Sequence, residues 1–266
     1  MSSLTEFVGS VPHNYDQYLG PLFFEPYALD LFERLQGKSY QRILELDSGT
    51  GRVTRHLAEL VKEEGQLFAT DLNSDMLKQA KHALPHERIT WQVDAHEIPY
   101  ETEFFDAVVC QFGVMFFFDK AKALREIHRV VRPGGIFLFN TWDELQHNAG
   151  AYLSYLVVSE SYPDDPPDFF INGPYAFFDT AEIKELLEAA GFSQVQIVPV
   201  TKVGSLNSPE QVANGVLEGT PLSSYLEERK APKEALKQKV TASVLSSYPD
   251  LQLPMKAFVI SAQKEG

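Results

Sequence analysis

The sequence predicts a doubly wound α/β fold built on a mostly parallel sheet of seven strands. Apolar runs of strand length alternate with segments of helical periodicity from about residue 41 onwards. A small-residue turn, residues 48–51 (Ser-Gly-Thr-Gly), joins the first run to the first helical segment. Such alternation implies right-handed crossovers and helices on both faces of the sheet. The chain has 266 residues, 44% of them hydrophobic, which suffices for one large domain of this class.

The predicted strands follow one another at regular intervals. Five lie before residue 141, at residues 42–46, 66–70, 88–93, 105–110 and 135–140, and two lie later, at residues 193–200 and 255–262. The run at 88–93 is the weakest, because it is interrupted by polar side chains.

Helices are predicted between these strands from apolar spacing and capping residues. One helix face is formed by Val53, Leu57, Leu60 and Val61. A second helix begins after Asp119 as its N-cap and ends before residues 133–135 (Pro-Gly-Gly). A third begins at a capping-box-like Asp179 and ends at Gly191.

Residues 1–266 are predicted to form a single domain with three additions. These are N-terminal lid helices over residues 1–36, an insert rich in aromatic residues and proline over 142–178, and a polar helical insert over 204–250. Inserts between sheet elements commonly build the substrate side of such folds. We therefore expect residues 142–178, together with the segment Tyr15–Phe24, to form a mobile cover over the ligand.

The composition indicates which binding partners and which cellular compartment to expect. A net charge of −14 makes nucleic acid and membrane surfaces poor partners, so we expect a small-molecule substrate and a monomer or homodimer. The single cysteine, Cys110, excludes an internal disulfide and fits a reducing, cytoplasmic compartment. No histidine and cysteine cluster has zinc-like spacing, so no metal is predicted.

Polar side chains stand at the carboxyl ends of successive predicted strands. Glu45 and the turn 48–51 end the first strand, Asp71 the second, Asp94 the third, and Gln111 the fourth. Open α/β sheets bind ligands at these ends. An acidic residue after the second strand can accept hydrogen bonds from ribose hydroxyls, and one after the third from the amine of adenine. The arrangement predicts a nucleoside site.

Thr54 argues against a dinucleotide at this site. It stands where a dinucleotide-binding turn has its third glycine, which allows close packing of helix on strand. The turn suits a nucleoside without a pyrophosphate. A nicotinamide-dependent oxidoreductase (NAD as cofactor) is therefore the weakest of the alternatives.

The same segments resemble the motifs of class I S-adenosylmethionine-dependent methyltransferases, in the group that includes the ubiquinone/menaquinone-type enzymes. LELDSGTG is similar to their glycine-rich first motif and ATDLN to their acidic second motif. The third to fifth motifs are resembled by VDAHEIPY, FDAVVCQFGVMFF and LREIHRVVRPGGIFLF. The resemblance implies a Rossmann-like fold with an antiparallel last strand. It also implies methyl transfer from S-adenosyl-L-methionine to a small, apolar or aromatic organic molecule.

The resemblance also implies a set of cofactor-binding residues. They are Glu45, Asp47, Ser48, Gly49, Thr50, Gly51, Asp71, Leu72, Met76, Asp94, Ala95, Gln111, Phe112 and Tyr15. Asp71 would hold the ribose, with Leu72 and Met76 beside the adenine. Gln111 and Phe112 would face the methionine end of the cofactor.

The resemblance also implies two tyrosines in a lid. Tyr15 and Tyr18 would lie in the segment that folds over the cofactor.

Asp47 departs from the family pattern. It stands where the family's first motif usually has glycine or another small residue. Its carboxylate could crowd the cofactor's methionine, pair with the cofactor's amino group or point into solvent. A methyltransferase-like binding protein without transfer activity is therefore an alternative function.

Candidate catalytic residues follow the fifth predicted strand. Asp143 and His147 come just after it, beside the expected substrate opening, and either could act as a base. Tyr18 is a further candidate. A base is needed only if the methyl acceptor must lose a proton, because alignment of the reacting atoms supplies much of the rate of such a displacement.

Overall fold

The computed structural model describes residue 7 and residues 9–84, 89–92 and 98–266. Within these residues it contains one seven-stranded sheet. The strands are β1 (Tyr40–Leu46), β2 (Val61–Thr70), β3 (Ile89–Gln92), β4 (Phe105–Gln111), β5 (Val131–Trp142), β6 (Ser193–Ser205) and β7 (Gln252–Gln263). Their order across the sheet is β3-β2-β1-β4-β5-β7-β6. The chain thus proceeds in opposite directions from β1, which makes the β1/β4 edge the topological switch point.

Strand directions confirm the predicted doubly wound sheet with an antiparallel last strand. β1 pairs in parallel with β2 and β4, β2 with β3, and β4 with β5. β7 runs antiparallel to β5, since the amide of Gly134 donates to Lys264 O and that of Asp143 to Lys256 O. All four parallel pairs therefore direct their carboxyl ends to one edge of the sheet.

The helices occur between the strands and in the inserts. They are α1 (Val11–Asn14), a π-helical stretch (Tyr15–Phe24), α2 (Glu25–Leu35), α3 (Thr54–Leu60), α4 (Ser74–Ala83), α5 (Lys120–Val130), α6 (Ala149–Ser161), α7 (Phe169–Asn172), α8 (Thr180–Ala189), α9 (Glu210–Glu218), α10 (Leu222–Glu228) and α11 (Lys233–Ser247). Short 3₁₀ turns cover Val114–Phe116 and Leu145–His147.

Side-chain caps fix two helix starts where the sequence predicts them. The carboxylate of Asp119 accepts a hydrogen bond from Lys122 N at 2.8 Å, at the start of α5. Asp179 accepts from Ala181 N at 2.8 Å, at the start of α8. One expectation is wrong: Val61 does not extend the helix face of α3 but begins β2, where it pairs with Tyr40. Its β-branched side chain favours this extended backbone.

The described chain divides into two compact units. The first comprises the described residues up to Pro26 together with Trp142–Ala176 and Thr201–Lys256. The second comprises the described residues from Tyr27 to Thr141 together with Phe177–Val200 and Ala257–Gly266.

The core of the second unit lies between the sheet and the helices α2 and α3. Leu31 and Leu35 of α2 and Leu57 of α3 are fully or almost fully buried. They pack with apolar side chains of the strands, among them Ile43 of β1 and Leu67 of β2. Burial of this apolar surface fixes the starts of β1 and β2, and hence the position of the turn between β1 and α3.

The first unit joins the N-terminal helices to the two inserts. Helices α9, α10 and α11 all lie in the predicted helical insert. Gln211 of α9 donates a hydrogen bond to Tyr18 O at 3.0 Å, and Asn14 Nδ2 donates to Glu218 O at 3.4 Å. The lid helices and the helical insert therefore fold together. Among the helices described, none is both long enough and apolar enough to cross a membrane.

Candidate functional site

The turn after β1 has an unusual backbone that its two glycines make possible. Asp47, Gly49 and Gly51 all have left-handed φ angles, of 52°, 55° and 83°. A Cβ added to Gly51 would lie 2.8 Å from Leu84 Cδ1, so this glycine allows close packing against the end of α4. A Cβ added to Gly49 would meet no described atom within 4 Å. Gly49 thus leaves open space beside the backbone, where a ligand can approach.

Asp71 ties the end of β2 to this turn. Its Oδ2 accepts a hydrogen bond from Gly49 N at 2.8 Å, and its Oδ1 accepts from Asn73 N at 2.7 Å. The neighbouring Thr70 Oγ1 donates to Glu45 O at 3.0 Å. Each oxygen of the Asp71 carboxylate keeps a second lone pair, which can accept from a ligand hydroxyl.

The side chains that follow Asp71 form the start of α4. Asn73 caps this helix, its Oδ1 accepting from Asp75 N at 2.9 Å and from Met76 N at 3.1 Å. Met76 is buried, whereas Leu72 is 48% exposed. An exposed leucine next to the Asp71 carboxylate offers an apolar surface for the face of a base.

Asp47 projects towards the end of β4. A Cβ built on Gly113 would lie 2.7 Å from Asp47 Cβ and 2.7 Å from Cys110 Sγ, and closer still to Asp47 Oδ2. The missing side chain at Gly113 therefore makes room for the Asp47 carboxylate. The carboxylate lies against Gly113, at the switch point between β1 and β4.

Three carboxyl groups at these strand ends hold their protons more tightly than usual. Burial, opposed in part by hydrogen bonds from Thr54 and assisted by the charge of Asp71, raises the pKa of Glu45 to about 8. Burial and then the charge of Asp71 also raise the pKa of Asp47. Burial raises the pKa of Asp71, although its bonds to Asn73 N and Gly49 N oppose the shift. Such a site favours a ligand that brings positive charge.

Buried polar atoms with unused hydrogen-bonding capacity lie in the same region. In the described part of the chain, Glu45 Oε2 and Ser48 Oγ have no hydrogen-bond partner although both residues are buried. Buried polar groups are rarely left unpaired in a folded protein. Their presence in this turn is typical of a site whose partner is a ligand.

Asn140, at the end of β5, is a site residue that the sequence analysis missed. Its Oδ1 accepts a hydrogen bond from Phe112 N at 2.8 Å, which holds Phe112 in a left-handed conformation with φ of 51°. The Phe112 ring packs edge-on against Tyr27, with centroids 5.3 Å apart. The signal in the sequence is an asparagine that directly follows the apolar run 136–139.

A second group of polar side chains lies in the first unit. Asp143 is buried, and its Oδ2 is 3.0 Å from His147 Nδ1 and 2.8 Å from Lys256 Nζ. His147 is 42% exposed. Burial alone would raise the pKa of Asp143, but Lys256, the amide of Glu144 and His147 together hold it below its ordinary value. The group is an ionised carboxylate that orients an accessible imidazole.

Lys256 was not foreseen from the sequence, because it lies more than a hundred positions from Asp143. Asn148 strengthens the connection: its Oδ1 accepts from Lys256 N at 3.1 Å, and its Nδ2 donates to Asp143 O at 3.3 Å. These bonds hold β7 beside the segment that carries the imidazole.

The two lid tyrosines also belong to the first unit. The ring of Tyr15 stacks on Phe24 with centroids 4.7 Å apart. Phe24 in turn contacts Trp142, which contacts Tyr175, with centroids 6.2 Å and 6.1 Å apart. We call Tyr15, Phe24, Trp142 and Tyr175 the aromatic row. Tyr18 is half-buried in the π-helical stretch, where its carbonyl accepts from Gln211.

The predicted residues thus fall into separate groups. The second unit contains the turn 47–51, Glu45, Asp71, Leu72, Met76, Gln111 and Phe112. The first unit contains Asp143, His147, Tyr15 and Tyr18. Asp94 and Ala95 lie outside the described residues. The described residues include no group of three or more histidine, cysteine or acidic side chains placed to hold a metal ion.

Sequence comparison matches the segment from β1 to β5 to a known domain. A methyltransferase-domain family profile matches residues 44–139. The chain is similar to the ubiquinone/menaquinone biosynthesis C-methyltransferase UbiE of Proteus mirabilis, at 31% identity over 178 residues, which are 60% of this chain and 70% of the relative. The corresponding protein of Pectobacterium carotovorum is 37% identical over 181 residues, with the same coverage of both chains.

Structural comparison identifies the same fold. Phosphoethanolamine N-methyltransferase 2 of Haemonchus contortus, in complex with S-adenosyl-L-methionine, has a TM-score of 0.64 at 21% identity, over 100% of this chain and 60% of that chain. The YcgJ protein of Bacillus subtilis has a TM-score of 0.57 at 15% identity, over 91% and 99%. The comparisons do not favour a binding protein without transfer activity or a nicotinamide-dependent oxidoreductase.

Replacing each of the two glycines of the turn by alanine should lower the free energy of unfolding by different amounts. Gly51→Ala combines a left-handed φ with a clash against Leu84, so it is expected to lower the free energy of unfolding by about 2–4 kcal/mol. Gly49→Ala carries only the backbone strain, about 1 kcal/mol. Urea unfolding of both variants measures the difference. Equal losses would show that contact with α4 does not require Gly51.

Glu45 should make stability fall as pH rises. The unfolded chain releases the Glu45 proton near pH 4.5 and the folded chain near pH 8, so the free energy of unfolding decreases across this interval. Glu45→Gln should remove about 2–4 kcal/mol of that decrease, and should therefore stabilise the free protein at pH 8 relative to wild type.

Urea unfolding at pH 5 and pH 8 tests this expectation. The matched control is Glu63→Gln, which removes an exposed carboxylate from the other end of the sheet. Parallel pH dependence of Glu45→Gln and wild type would mean that Glu45 is ionised in the folded chain.

Proposed function

We propose that this chain, which belongs to the class I S-adenosylmethionine-dependent methyltransferases, methylates a small aromatic molecule that carries an acidic hydroxyl group. Family membership shows the reaction type and S-adenosyl-L-methionine as the methyl donor. The acceptor is inferred here, and the observation that carries it is the Asp143–His147 pair next to the aromatic row.

The nucleoside site has the chemistry that the donor requires. We propose that Asp71 accepts hydrogen bonds from the ribose hydroxyls and that Leu72 and Met76 flank the adenine. The open space at Gly49 and the unpaired Ser48 Oγ support binding of the methionine part at the turn after β1. Bound there, the cofactor supplies a methyl group on a positively charged sulfur.

Removal of the Asp71 carboxylate should weaken binding of the donor. Asp71→Ala is expected to cost about 1.5–3 kcal/mol of binding free energy for S-adenosylhomocysteine, the scale of hydrogen bonds to a charged group. Isothermal titration measures the change. Asp71→Asn keeps one acceptor oxygen for Gly49 N, so it separates a direct loss of binding from a loss of the turn's conformation. Glu63→Ala is the control. Unchanged affinity in Asp71→Ala would remove this residue from the site.

The aromatic row supports an aromatic acceptor. Its rings are in continuous contact from Tyr15 to Tyr175, and Trp142 directly precedes Asp143 in the chain. Aromatic surfaces of this kind bind flat apolar molecules through stacked and edge-to-face contacts. The relatives named as C-methyltransferases favour methylation at a ring carbon over methylation at oxygen.

The Asp143–His147 pair supports an acceptor that must lose a proton. Asp143 holds Nδ1 of the imidazole, and this bond leaves Nε2 to accept a proton. In our proposal Nε2 takes the proton of the acceptor hydroxyl, and the ionised Asp143 stabilises the resulting imidazolium. Loss of that proton places negative charge on the hydroxyl oxygen and the adjacent ring carbons, which strengthens either as a nucleophile towards the methyl carbon. Lys256 keeps Asp143 ionised throughout.

Replacement of His147 should slow methyl transfer without unfolding the protein. His147→Ala removes a half-exposed side chain and is expected to lower kcat by roughly 10²–10³-fold, the usual contribution of a positioned base. The measurement is formation of S-adenosylhomocysteine with a panel of phenols and quinols, with the methylated atom assigned by NMR. His82→Ala, at an exposed histidine of α4, is the control.

The pH dependence of the methyl-transfer rate distinguishes His147 from Tyr18 as the base. Loss of the acidic limb in His147→Ala supports the histidine as the base. Retention of wild-type rate by His147→Ala, with a large loss in Tyr18→Phe, would transfer the role to Tyr18.

The cover expected over residues 142–178 and the segment Tyr15–Phe24 stays a prediction. The segment Tyr15–Phe24 and residues 142–176 belong to the first unit, where Phe24 packs against Trp142, and residues 177–178 belong to the second. Helix α6 ends before the prolines of the insert, and these flank the short helix α7: Pro163, Pro166 and Pro167 precede it and Pro174 follows it.

A further inference from the structure

The site contains an acidic group that the family pattern does not account for. Glu45 and Asp71 occupy positions where the motifs have acidic residues, whereas Asp47 replaces a small residue. Its carboxylate lies against Gly113 and Cys110, at the switch point between β1 and β4. Within the described part of the chain, neither Asp47 nor Glu45 nor Asp71 forms an ion pair.

We propose that Asp47 makes this site discriminate by charge, so that it holds the cationic sulfonium donor more tightly than the neutral thioether product. The inference rests on the proposed position of the methionine part of the donor at the turn after β1. It concerns one residue of this chain and leaves the transfer reaction itself unchanged.

The physical argument follows from the difference between the two ligands. Donor and product share adenosine and the amino acid group, and differ by one methyl group and one positive charge at sulfur. Hydrogen bonds from Asp71 and from the turn therefore contribute equally to both. Contacts with the methyl group and an electrostatic interaction with the sulfur distinguish them, and an added carboxylate at the switch point supplies the electrostatic part.

A buried hydroxyl group next to Asp47 points to a ligand at this carboxylate. Ser48 Oγ, one residue along the turn, is buried without a partner among the described residues. Asp47 has a left-handed φ of 52°, a conformation that aspartate adopts more readily than most residues other than glycine. The turn therefore accommodates an acidic residue at this position.

The surroundings of Asp47 determine how its charge develops with pH. Its charge interacts with Asp71 after β2 and with Cys110 of β4, and each of these groups is neutral or negative. Since no positive group among them lowers its pKa, Asp47 is protonated in the free site at moderately low pH and ionises when pH rises. The affinity ratio of donor to product should therefore increase from pH 6 to pH 9. A cationic ligand should also displace the proton, whereas a neutral ligand should not.

Isothermal titration of the whole chain tests the inference. The ligands are S-adenosylmethionine, S-adenosylhomocysteine and sinefungin, which carries an ammonium group in place of the sulfonium. Asp47→Asn should lower the affinity ratio of donor to product by roughly three- to tenfold, or about 0.7–1.4 kcal/mol, the size of a partly screened charge interaction. Sinefungin should follow the donor. Glu63→Gln, which changes net charge equally, should leave the ratio unchanged.

Proton release provides a second readout. Titrations in two buffers of different ionisation enthalpy should show more protons released by the donor than by the product in wild type, and equal release in Asp47→Asn. Asp47→Gly, which tolerates the left-handed φ and so keeps the fold, should lose discrimination to the same extent.

The alternatives give different results. If Asp47 only crowds the site, Asp47→Gly will bind donor and product more tightly by the same factor, and the inference is overturned. An affinity ratio unchanged in both variants also overturns it, while leaving the donor site in place. Wild-type protein that binds none of the three ligands would remove the proposed donor position and the inference together.

Discussion

The bond between the Asp71 carboxylate and the amide of Gly49 is the constraint on which the site depends. It joins the carboxyl ends of β1 and β2, and its other oxygen holds the start of α4 through Asn73 N. The turn 47–51 can therefore keep three left-handed residues in a fixed conformation. Without this anchor, glycine-rich backbone would lose entropy on ordering with little to offset the loss. The same carboxylate that shapes the site is left with lone pairs for a ligand.

Much of the fold could be predicted because periodicity and strand ends are local properties of the sequence. Caps at Asp119 and Asp179 lie where expected, and the strands follow the apolar runs. Val61 was misplaced because α3 passes directly into β2 without a loop, so one apolar residue satisfies both patterns. Lys256 could not be predicted, since its contact with Asp143 joins distant parts of the chain.

The row of polar strand ends could be predicted from the sequence, but its electrostatics could not. Sequence spacing places Glu45 and Asp71 at neighbouring ends, whereas the pKa changes depend on how completely each carboxyl group is withdrawn from water. Buried acidic groups oppose folding at neutral pH and are retained where a ligand offsets their cost. The ligand-free protein is therefore least stable at the pH values at which these carboxyl groups are ionised. A cationic donor binds most strongly to the site at the same pH values.

Gly113 has a consequence for how this sequence can change over time. Because the carboxylate of Asp47 fills the volume where a side chain at position 113 would stand, the two positions are coupled. A side chain at 113 would also meet Cys110 Sγ, so a substitution there requires both Asp47 and Cys110 to give way. Position 113 is therefore the most constrained of the three: Asp47 can be replaced while Gly113 is kept, whereas Gly113 cannot be replaced while both neighbours are kept.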